Sequence, residues 1–162
     1  NVFQRDHFFG RAETEAKFEW AGKTVAVLGV AFKQDTNDIR NSGVIGLIQQ
    51  LLGAGVAEVR LFDPAAMTEC ARYFDANKNP LYTKITYTAD EAEALVGTQA
   101  VVIGTDWPQF KNVADIIMAT VQTPYLIMDG RRIVQHQFAT LQKKGYSIVA
   151  VGSPFLAGEA IK

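Results

Sequence analysis

The 162-residue sequence predicts an α/β fold, a three-layer doubly wound (Rossmann-like), mostly parallel sheet in a single domain. Three observations carry the prediction. Residues 25–30, 100–104 and 125–128 are short, almost continuous apolar runs, the pattern of strands covered on both faces. Segments with apolar residues at helical spacing alternate with them, the order of βαβ units. Each of the three runs ends in polar or charged residues. In open α/β sheets ligands bind at that edge, because loops leave the carboxyl ends of the strands and helix N-termini direct free N–H groups there.

Residues 1–20 stand apart, with Phe3, Phe8, Phe9, Phe18 and Trp20 among charged residues and no capped start. They read as the end of a preceding helix or linker, with a disordered terminus as the alternative; five large aromatics are costly to leave in water. Residues 21–162 form the domain itself. After the first buried strand, Val44, Ile45, Leu47, Ile48, Leu51 and Leu52 predict a helix over 42–52, stopped by Gly53 and Gly55. Residues 58–62 alternate as a strand that Asp63-Pro64 ends. A helix over 65–74, a surface loop over 75–80 and a short strand over 84–87 follow. Thr88 with Glu91 three residues on has capping-box spacing and opens a helix to Leu95. Helices are predicted over 113–121 and 135–144, and the last strand over 147–151.

A hydrophobic content of 48% fits a globular protein, and sixteen basic residues against seventeen acidic ones, net charge -1, give no broad surface for nucleic acid. No apolar run reaches the length of a membrane helix and residues 1–14 lack the layout of a signal peptide, so the chain reads as soluble and cytoplasmic. Cys70 is the lone cysteine, and with only His7 and His136 beside it no metal-ligand spacing exists. Cys70 reads as a buried, inert thiol, and both histidines as exposed.

If the sheet is parallel, the loops bearing Phe32-Lys33 and Arg40, Thr105-Asp106-Trp107, and Asp129-Gly130-Arg131-Arg132 converge. Lys33, Arg40, Arg131 and Arg132 can then surround a phosphate, arginine as a fork and lysine as a point charge, with Phe32 or Trp107 as a flat wall for a sugar or base. A conventional dinucleotide site needs three glycines in the first turn; Gly29 alone is present, and Asp63 is a weak ribose signal, more readily an ordinary strand stop. Asp35 and Asp38 read as cap or loop braces. A receiver-like signalling domain with Asp63 as phosphoacceptor lacks its neighbouring acidic pair. No complete catalytic set is visible.

The segments VAVLGVAFKQDTNDIRNS, LFDP, VVIGTDWPQF and IMDGRRI together resemble the C-terminal, nucleotide-sugar-binding domain of the UDP-glucose 6-dehydrogenase family, which includes UDP-N-acetylmannosamine and GDP-mannose dehydrogenases. The resemblance covers about residues 23–151, and the pairing of G-x-A-F-K-x-x-T-x-D-x-R with D-G-R-R makes it specific. It implies an enzyme that oxidises a sugar C6 alcohol to a carboxylate in two NAD-dependent steps, UDP-glucose to UDP-glucuronate being the preferred case. It further implies that Phe32, Lys33 and Arg131 contact the nucleotide sugar and that Arg40 approaches NAD. In such an enzyme a separate N-terminal domain holds most of the NAD and the catalytic cysteine, a long helix joins the halves and builds an oligomer, and this portion alone is inactive. One departure is that Asn41 stands where that family commonly has glutamate, which bears on how Arg40 is held.

Overall fold

The computed structural model describes residues 2–160. A helix, α1 (Val2–Thr14), precedes six strands and five further helices: β1 (Thr24–Leu28), α2 (Gly43–Gly53), β2 (Glu58–Phe62), α3 (Met67–Tyr73), β3 (Ile85–Tyr87), α4 (Glu91–Leu95), β4 (Ala100–Ile103), α5 (Val113–Thr120), β5 (Tyr125–Asp129), α6 (Phe138–Lys143) and β6 (Tyr146–Ala150). The strands form one sheet in the order β3-β2-β1-β4-β5-β6, and every named pair is parallel.

The continuous apolar runs have a simple cause. Successive side chains of a strand point to opposite faces, so a strand covered on both sides is apolar at every position. Ala26 and Leu28 of β1 join Val101, Ile103, Leu95, Ile117 and Leu141 on the face covered by α4, α5 and α6. Val25 and Val27 join Val102, Met128, Ile48, Leu51, Cys70 and Phe8 on the face covered by α1, α2 and α3. The two clusters and the sheet between them are the three layers.

Several boundaries move for local reasons. Ser42 caps α2, its Oγ accepting from the Val44 N–H at 3.3 Å. Asp90, rather than Thr88, caps α4, accepting from the Glu93 N–H at 2.8 Å. Thr88 instead donates its hydroxyl to the Leu61 carbonyl, so the capping-box spacing fell two residues early. The segment read as a helix from 65 begins at Met67, because Asp63 binds the N–H groups of Ala65 and Ala66 in the turn before it. The helix read from 135 opens as a 3₁₀ turn over Gln135–Gln137.

After β6 the chain reverses, and Leu156 exchanges backbone hydrogen bonds with Ile148 in an antiparallel bridge. That return covers the outer edge of β6, which a second chain could otherwise extend. Helix α1 packs on α2 and β6; Phe8 and Trp20 are buried, with Phe9 stacked on Trp20 at 5.3 Å and Phe18 edge-on to it at 4.8 Å. Asn1 and the side chain of Phe3 lie outside the described residues.

Candidate functional site

The strand order turns back between β1 and β4, so the loops leaving these two neighbours diverge to opposite faces and open a crevice at their carboxyl ends. Asp63, at the end of β2, fixes the near side. Its Oδ2 accepts from the N–H groups of Val30 and Ala31 at 2.8 and 3.0 Å and from Trp107 Nε1 at 3.3 Å, while Oδ1 accepts from Ala65 and Ala66 at 2.8 and 2.9 Å. Thr105 Oγ1 donates to the Ala31 carbonyl at 2.8 Å. The loops after β1, β2 and β4 are thereby tied together beneath Phe32, whose own N–H bonds the Asp38 carbonyl.

Asp129 does the same on the far side. It is buried at the end of β5 and accepts from the N–H groups of Arg131, Ile133 and Val134 at 3.0 to 3.1 Å. Burial pushes its carboxyl above the usual carboxylate range, and these backbone donors oppose the rise. The turn so formed aims Arg131 across the rim: Nε donates to the Gly104 carbonyl at 3.1 Å and Nη2 to the Phe32 carbonyl at 3.2 Å. One guanidinium thus spans the ends of β1, β4 and β5, and its Nη1 has no protein partner among the described residues.

Beside this bridge lies a cleft of about 890 Å³. Phe32 and Arg131 line it, with Gly104 and Gly130 at its floor, Asn41, Ser42 and Val44 at the start of α2, and residues 151–154 after β6. Its remaining wall is α1, through Gln4, Arg5, His7, Phe8 and Arg11, with Glu15 just past the helix end. The charged and titratable lining is three arginines and a histidine against one glutamate, which suits an anion. Asn41 takes a left-handed φ of 60°, a conformation asparagine tolerates better than most residues with a side chain.

Phe32 and Arg131 are therefore brought together. Lys33 follows Phe32 on the same rim, exposed and without a hydrogen bond or ion pair among the described residues, but its side chain is not in the lining. Arg40 turns away: Nε and Nη2 bind the two oxygens of Asp38 at 3.0 and 2.9 Å. The pair lowers the Asp38 carboxyl below its usual range, chiefly through that hydrogen bond. Arg132 is not in the cleft lining; its Nε donates to Gln135 Oε1 at 3.2 Å and its Nη1 reaches the Gly152 carbonyl at 3.4 Å. Trp107 is not a ligand wall either, being 8% exposed and bound to Asp63. Asp63 itself is more than a strand stop, and with both oxygens engaged it has little left for a ribose. A self-contained dinucleotide site does not fit this edge, since Phe32 stands where the backbone would have to meet a pyrophosphate.

The sequence reading missed the α1 wall. Gln4, Phe8 and Arg11 repeat at intervals of four and three and share one helix face, a signal hidden because that face mixes polar and aromatic groups.

Residues 26–136 match the profile of the UDP-glucose/GDP-mannose dehydrogenase family, UDP binding domain. The chain belongs to that family. The UDP-binding-domain match begins in β1 and ends just past the D-G-R-R turn, so it contains both strand-end groups that meet at the cleft, while α1 and residues 151–154 lie outside it. Among relatives, UDP-glucose 6-dehydrogenase AglM of Haloferax volcanii is 42% identical over 118 residues, covering 73% of this chain and 25% of the relative. UDP-glucose 6-dehydrogenase TuaD of Bacillus subtilis is 32% identical over 137 residues, covering 85% and 28%. A solved UDP-glucose dehydrogenase from Pyrobaculum islandicum superposes with a TM-score of 0.65 at 25% identity, covering 83% of this chain and 28% of that one. The chain therefore spans about a quarter of the length of these family members.

Proposed function

We propose that this chain is the nucleotide-sugar-binding domain of an NAD-dependent UDP-glucose 6-dehydrogenase, the enzyme that converts UDP-glucose to UDP-glucuronate in two oxidations. The observation that carries the reading is the meeting of Phe32 and Arg131 at the topological switch point, joined by a hydrogen bond through the backbone and open to a cleft large enough for a nucleotide sugar. In this reading Arg131 Nη1 takes a diphosphate oxygen, the exposed Phe32 ring lies against the sugar or base, and Lys33 swings in as a point charge. Arg40 serves NAD held by a separate N-terminal domain, released from Asp38 when that domain docks. Residues 1–20 belong to the end of a preceding helix or linker that joins the two domains, and the intact enzyme is a cytoplasmic homo-oligomer. No helix among the described residues is long and apolar enough to cross a membrane.

The same domain in a UDP-N-acetylmannosamine or GDP-mannose dehydrogenase would use the same rim, so the nucleotide has to be tested directly. Calorimetric titration with UDP, UDP-glucose, GDP-mannose and NAD should give a uridine preference and no saturation by NAD. Lys33→Ala should weaken UDP-glucose by about 1 to 3 kcal/mol, the range for a charge-assisted hydrogen bond. Saturation by NAD with a flat response to UDP would replace this reading with that of an autonomous dinucleotide module.

A further inference from the structure

One wall of the cleft is a helix, and a buried cation attaches it. Arg11 of α1 is 9% exposed, and its Nη1 donates to the Ala150 carbonyl and its Nη2 to the Ser153 carbonyl, each at 2.7 Å. Its Nε bonds Glu15 one turn along, whose side chain is 40% exposed, so that pair is screened and weak. The two carbonyls belong to the end of β6 and to the turn after it. Residues 151–154 of that turn line the cleft with α1, and Arg132 holds the Gly152 carbonyl from another side.

A thirteen-residue helix is marginal in water by itself, so the position of α1 depends on what it touches. Phe8 and Ala12 supply apolar contact, which resists separation but leaves sliding cheap. Two directional bonds from one rigid guanidinium fix both distance and register. The turn needs the same anchor, for Gly152 has a φ of 72° and its neighbours are exposed or half-buried.

We infer that Arg11 is a positioning residue for the cleft: it sets the separation between α1 and residues 151–154, and through that separation the affinity for the nucleotide sugar. The second clause rests on the function proposed above. Arg11→Met keeps most of the stem and removes the forked donor, and Arg11→Lys keeps the charge but can reach one carbonyl at a time.

In the full chain, amide exchange at Val151, Gly152 and Ser153 and along α1 should speed up at least tenfold in R11M, with β1 and β4 unchanged. The dissociation constant for UDP-glucose should rise about tenfold in R11M and by less in R11K. A uniform acceleration that includes β1 and β4 would overturn the inference, marking Arg11 as general core support. So would a loosened turn with wild-type affinity. If wild-type protein binds no nucleotide sugar, the reading of the cleft fails instead; unchanged protection at Val151, Gly152 and Ser153 in R11M would then overturn the clamp on its own.

Discussion

Asp63, just after β2, and Cys70, within α3, show how burial assigns opposite roles to two side chains of similar reach. Asp63 is 1% exposed and accepts five hydrogen bonds, four from backbone N–H groups and one from Trp107. Asn in its place would have to point an NH₂ at donors. We expect Asp63→Asn to cost about 3 kcal/mol in urea unfolding, because buried donors left unpaired bear their full desolvation penalty. Cys70 is fully buried in α3, and burial first, then the charges of Asp63 and Glu69, pushes its thiol from 9.0 up to about 12. The folded chain thus favours the neutral thiol. Its contribution to stability is whole below about pH 9 and is lost as pH rises through about 12, and Tyr87, also pushed up to about 12, adds loss in the same window. Iodoacetamide should therefore leave native protein unlabelled at mildly alkaline pH and label it only in denaturant. Asp63 looked like a strand stop in the sequence because a hydrogen-bond acceptor gives no sign of which distant donors it will meet.

The close approach of the chain just after β1 to the chain just after β4 depends on glycine. Gly29 has a φ of +89°, and a Cβ there would lie 2.7 Å from both the Cβ and the backbone nitrogen of Thr105. Neither atom is the end of a flexible chain, so Gly29→Ala meets strain in its own backbone and a collision with its neighbour's. A loss of about 2 to 4 kcal/mol is expected, read as a lower urea midpoint at unchanged slope. The elements themselves were largely legible: the strands at 58–62 and 100–103 and the helix after Ser42 follow from period and capping chemistry alone. The α4 cap was not, since Thr88 and Asp90 both have a capping partner three residues on, and only the position of the Leu61 carbonyl decides between them.

At the scale of the whole molecule, the cleft holds binding groups and no reacting pair among the described residues. The chain's only cysteine is buried on the face covered by α1, α2 and α3, away from the cleft lining, and among the described residues the lining shows no hydrogen-bonded nucleophile and base. Mixed with UDP-glucose and NAD, the chain should generate no NADH absorbance; turnover would show that the proposed N-terminal half is dispensable. The α/β class, the succession of strands along the chain and the placing of Phe32 and Arg131 at strand ends were legible in the residues alone, because these follow from periodicities and turn residues within a few positions of each other. It took the folded chain to show that Arg131 reaches the Phe32 carbonyl, that Arg40 turns to Asp38 and Trp107 to Asp63, and that α1 walls the cleft. Each of those outcomes is set by which carbonyl or carboxylate the sheet order brings within hydrogen-bond reach, a matter of distance in space that spacing along the chain does not encode.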